Sequence, residues 1–91
     1  METDLDLPAL HVEALTRYIE HGVLPGHFLT AVLRNDLTAA VARADAHNLP
    51  LLHRYVQWLY NRAPSGCWGS PTRVTAWIAT RRVVRQVEEE E

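Results

Sequence analysis

The chain contains no lysine, one cysteine and no apolar run approaching the ~20 residues needed to cross a bilayer. Each absence excludes something. A lone cysteine, Cys67, cannot close an internal disulfide, and the start METDLDLPAL puts acids where a signal peptide carries basic residues. The expected setting is therefore a reducing cytoplasm, with no membrane partner. Nine arginines against eleven acids leave a formal charge of −2, so no global positive field draws in nucleic acid. Having arginine as the only basic type besides histidine fits either arginine-driven recognition, because a guanidinium forks onto carboxylate or phosphate, or a coding bias. What remains, 91 residues at 47% hydrophobic and 22% charged, suits one small globular domain with one core.

Prolines and glycines punctuate the chain into blocks of helical periodicity, and no window alternates as a half-buried strand would. The predicted fold is all-α: a compact bundle of about five short helices without a sheet, forming a single domain over residues 1–87. Residues 88–91, four glutamates, oppose a helix dipole and form an acidic tail expected to fray. The first helix runs from about Pro8 to His21, stopped by Gly22 in a left-handed conformation, with Leu7, Leu10, Ala14, Leu15, Tyr18 and Ile19 inward. His27 to Arg34 forms a second, with Phe28, Leu29, Val32 and Leu33 as its apolar face, and Asn35 or Asp36 breaks and recaps the chain. Leu37 to His47 forms a third, burying Leu37, Ala40, Val41 and Ala44, and Asn48 caps the next start. Leu49 to Asn61 makes a broad-faced, central fourth helix with Leu52, Tyr55, Val56 and Leu59 inward. Ser70-Pro71 is the clearest start signal, an N-cap side chain followed by proline at the first helical position. The fifth helix turns Val74, Trp77 and Ile78 inward and runs to about Gln86.

No constellation in the sequence carries a reaction. Ser-Gly-Cys-Trp around Cys67 superficially resembles a papain-type nucleophile, but no histidine follows it to serve as base. Cys67 reads instead as a small, semi-buried loop residue. His11, His21, His27, His47 and His53 show no ligand spacing, and the paired cysteines of a structural zinc site are absent. Carboxylates are scattered and no phosphate-binding glycine loop occurs. The expectation is a protein that is not an enzyme, with no cofactor and no metal.

The surface is more informative. Arg81 and Arg85 share a helix side with Val74 and Ile78, so the apolar stripe of the last helix turns charged midway. Val83, Val84 and Val87 lie on another side, either as a partner surface bordered by arginine or packed against the N-terminal segment. Trp68, in a loop between Gly66 and Gly69, either plugs the core from the side or anchors a partner. The candidate partner-binding residues are Trp68, Arg81, Arg82, Val84 and Arg85, and self-association through the last helix uses the same strip. Nucleic acid is a poor partner for that helix, because residues 70–91 hold four arginines and four glutamates.

Tyr18-Ile19-Glu20-His21-Gly22, Pro25-Gly26, Phe28-Leu29-Thr30-Ala31-Val32-Leu33, Asn35-Asp36-Leu37, Arg43-Ala44-Asp45, Asn48 and Tyr60-Asn61 together resemble a family of short uncharacterised proteins from bacteriophages, prophages and plasmids. Ala63-Pro64-Ser65, Trp68-Gly69-Ser70-Pro71 and Trp77-Ile78 extend the resemblance, which spans about residues 18 to 78. Leu24 stands where the pattern has a second proline before Gly26. The resemblance implies a mobile-element context and brings no catalytic residues with it.

The expected function is thus that of a small phage or mobile-element protein that binds a host or phage protein complex. Blocking a defence or regulatory assembly, as anti-CRISPR proteins do, is its concrete form. The alternative is a helix-turn-helix-like regulator with Leu37 to His47 as recognition helix. That helix offers only Arg43 against Asp36 and Asp45.

Overall fold

Helical blocks this short gain stability mainly by packing, since a nucleated turn costs more than a few backbone hydrogen bonds return. The computed structural model describes residues 7–90, with side chains over residues 7–83. Five α-helices follow one another: α1 (Ala9–His21), α2 (His27–Leu33), α3 (Leu37–Arg43), α4 (Leu52–Arg62) and α5 (Pro71–Glu90). Single 3-10 turns occupy Leu49–Leu51 and Ser65–Cys67, and no strand occurs among the described residues. The chain is an all-α bundle, as its punctuation predicts.

Local signals set most boundaries. Gly22 ends α1 at φ 72°, its N–H returning to the Tyr18 carbonyl. The same glycine admits α5: a Cβ there would lie 2.7 Å from the Arg81 Cβ. Asn35 turns the corner after α2 at φ 60°, and the Asp36 carboxylate caps α3 by accepting the Ala39 N–H at 3.1 Å. Ser70 caps α5, its hydroxyl accepting the Arg73 N–H at 3.1 Å.

The most enclosed element is α2 rather than the expected α4. Five of the seven residues of α2 are buried (Phe28, Leu29, Ala31, Val32 and Leu33) against three of eleven in α4. Each buried Leu, Val or Phe contributes about 1.5–3 kcal/mol, enough to hold a helix too short to stand alone. Leu7, Leu15, Tyr18, Ala40, Tyr55, Trp58, Leu59, Cys67 and Val74 complete the core around it.

Several expected inner positions face outward. Leu10 is 76% exposed, Leu37 65%, and Val41 and Val56 are also on the surface. With only two turns, α3 buries Ala40 alone. It ends at Arg43 instead of His47 because Ala44 is extended and the Asp45 carboxylate accepts the His47 and Asn48 N–H groups at 2.9 and 2.7 Å. Asp45 thereby takes the capping role expected of Asn48, whose side chain caps nothing. The turn at Leu49–Leu51, containing Pro50, delays α4 to Leu52. At the far end, α5 continues beyond the expected Gln86 to Glu90. No glycine or proline follows Pro71 to stop it, and glutamate is a good helix former.

Candidate functional site

The segment joining α4 to α5 is held in place by groups far apart in sequence. Cys67 is fully buried, deeper than the semi-buried position expected, and burial pushes its thiol pKa up. Its carbonyl accepts the Tyr18 O–H at 2.7 Å. The Gly69 N–H donates to the Leu33 carbonyl at 2.8 Å, tying the loop to the end of α2. The Arg73 Nη1 donates to the carbonyls of Ser65 and Trp68 at 3.3 and 3.4 Å. Gly69 makes this reach possible, with φ 111° and an absent Cβ that would sit 3.2 Å from the Arg73 Nη1.

This loop forms one wall of a surface groove of about 490 Å³, lined by Asn35, Val56, Tyr60, Ala63, Trp68 and Arg73 among others. A dimple of about 40 Å³ adjoins it, sharing Asn35 and Val56 and bounded by Leu37 and Leu52. Tyr60 is 79% exposed, and Trp68 is half-buried, packed against the core while lining the groove. Both roles weighed for Trp68, side plug and surface element, are thus compatible with its position.

The other expected partner-binding residues lie elsewhere. Arg81 is half-buried, with its guanidinium 4.7 Å from the Trp77 ring centroid and its stem against Gly22. Its Nε is buried without a partner among the described residues. The Trp77 Nε1 donates to the carbonyls of Ile19 and Tyr18 at 3.1 and 3.3 Å, so Trp77 and Arg81 together close α5 onto the end of α1. Arg82 and Val83 are exposed. Val84 and Arg85, like Val87, have side chains outside the described residues. Arg81 lies eight residues beyond Arg73, roughly 12 Å along α5, so Trp68 and Arg81 belong to different regions of the surface.

Two residues of the groove, Val56 and Tyr60, were not among the sequence candidates, yet signals for them exist. Leu52, Val56 and Tyr60 recur every four residues, a second apolar stripe on α4 beside the one buried through Tyr55, Trp58 and Leu59. Charge is a second signal: between Asp45 and Glu88 the chain has six arginines and no acidic residue.

A polar cluster lies on the buried stripe of α4. The His11 Nδ1 and the Tyr55 hydroxyl are 2.6 Å apart, and Phe28 meets Tyr55 edge-on at 5.1 Å. Burial pushes the Tyr55 pKa up, with Asp45 adding to the effect. The cluster links α1, α2 and α4. Among the described residues, no three His, Cys, Asp or Glu side chains are grouped to hold a metal ion, and no helix is long and apolar enough to cross a membrane.

Fold and groove define a class, an all-α bundle with a surface groove. No protein-family model, no curated protein and no solved structure matches the chain.

Proposed function

We propose that the protein acts by binding another protein through the groove between α4 and the 63–70 loop. The observation that carries this reading is the second stripe of α4, which places Val56 and Tyr60 on the surface and leads into the groove walled by Trp68. Tryptophan, tyrosine and arginine around an apolar centre are the usual composition of an interface anchor. Asn35, Tyr60, Ser65 and Arg73 supply its polar groups, and they suit recognition through hydrogen bonds. The resemblance to phage and plasmid proteins adds a setting. The partner is a host or phage complex met in the host cytoplasm, and occlusion of a defence or regulatory complex, as by an anti-CRISPR protein, is the form of action.

The test is affinity capture from cells carrying an infecting phage or plasmid, with wild type, a Val56→Asp/Tyr60→Ala variant and Arg82→Glu compared side by side. A partner recovered with wild type and Arg82→Glu but lost with the groove variant supports the reading. Retention by the groove variant, or loss with Arg82→Glu alone, overturns it in favour of the exposed side of α5.

A further inference from the structure

We infer that the groove takes an extended peptide segment of a partner protein that sets one acidic side chain on Arg73 and a bulky apolar side chain between Val56 and Trp68. This rests on the protein-binding reading above and adds the chemistry of the partner. Charge complementarity selects the acid. Among the described residues, Arg73 is the only charged side chain lining the groove, and the Asp36 carboxylate lines only the adjoining dimple. Both hydrogen bonds made by Arg73 as a side-chain donor leave from Nη1 and are long, so its Nε and Nη2 have no acceptor among the described residues. A carboxylate accepts from two such donors of one guanidinium in a fork.

The same count disfavours a nucleic-acid strand, which needs a row of cations along its phosphates. At helical spacing, Arg54 and Arg62 fall on the opposite side of α4 from Val56 and Tyr60. Arg81 is engaged with Trp77. One guanidinium thus stands beside an apolar wall, matched to a single acid rather than a polyanion. The dimple beyond Val56 carries the Asp36 carboxylate beside Leu37, so the segment seats its acid at the Arg73 end of the groove, away from Asp36.

The experiment uses the full chain and a panel of end-capped synthetic decapeptides, each with one Asp or Glu at varied distance from a Leu, Phe or Trp. Asn and Gln versions serve as controls, and binding is read from amide NMR shifts. The expected result is that acidic peptides bind roughly tenfold tighter than their amide counterparts, as suits a charge-assisted hydrogen bond. They should shift the Val56, Tyr60, Trp68, Gly69 and Arg73 resonances. Arg73→Gln should erase that preference, and Arg73→Lys should keep part of it. Because the Asp-to-Asn comparison is made on the peptide, it remains decisive even if Arg73 variants disturb the loop. Groove shifts with no acid preference overturn this inference and leave the protein-binding reading standing. Stronger, salt-sensitive groove shifts with a thymidine decanucleotide than with any peptide overturn both.

Discussion

The Tyr18 hydroxyl donates to the carbonyl of Cys67 at 2.7 Å, joining residues 49 positions apart in a fully buried contact. It connects the last turn of α1 to the loop that walls the groove. Tyr18→Phe leaves that carbonyl without its donor and should cost about 1–3 kcal/mol, measured by urea unfolding. Amide exchange at Gly69, whose N–H holds the next part of the loop, should quicken more than exchange in α2.

Alkaline stability follows from three buried acids. The pKa values of Cys67, Tyr18 and Tyr55 are all raised, chiefly by burial, from ordinary values of 9.0 for the thiol and 10.0 for the phenols. In the unfolded chain these groups lose protons at their ordinary values, while the folded chain keeps them. Above those values the unfolded state binds fewer protons, so stability is fully present below about pH 8 and falls as pH rises past 9. Cys67→Ala should remove the earliest part of that fall. The native thiol should also resist a disulfide reagent at pH 8 until urea unfolds the chain.

Gly22→Ala meets two obstacles at once, a left-handed φ and the Arg81 Cβ. It should cost about 2 kcal/mol or more. Gly66→Ala faces open space without a positive φ and should change the melting temperature little. Equal effects of the two would show that α5 does not approach α1 through Gly22.

Arg81→Glu gives up the contact with the Trp77 ring and puts a carboxylate near the carbonyl end of α1. The loss should be about 1–2 kcal/mol. The sequence alone offers Arg81 as a partner-binding residue; its half-buried place makes it partly structural. Arg82→Glu, exposed on the same helix, should stay within about 0.5 kcal/mol. Equal stability of the two variants would remove Arg81 from the α1–α5 contact.

The sequence by itself determined the all-α class, the stop at Gly22, the cap of α5 at Ser70 and the buried run Phe28, Leu29, Val32 and Leu33. Those features rest on φ preferences, capping groups and spacing within one or two turns, all carried by neighbouring residues. Tertiary structure decided which stripe of α4 is buried, because Leu52, Val56 and Tyr60 compete with Tyr55, Trp58 and Leu59 on comparable helical patterns. Only the positions of α1 and α2 choose between them. It also decided the end of α3, where the Asp45 turn wins over a continuing helix, and the burial of Cys67 beneath Tyr18. The groove belongs wholly to this second kind. Asn35, Tyr60, Trp68 and Arg73 come together only when the Gly69 N–H meets the Leu33 carbonyl, a contact between residues 36 positions apart that no local propensity encodes.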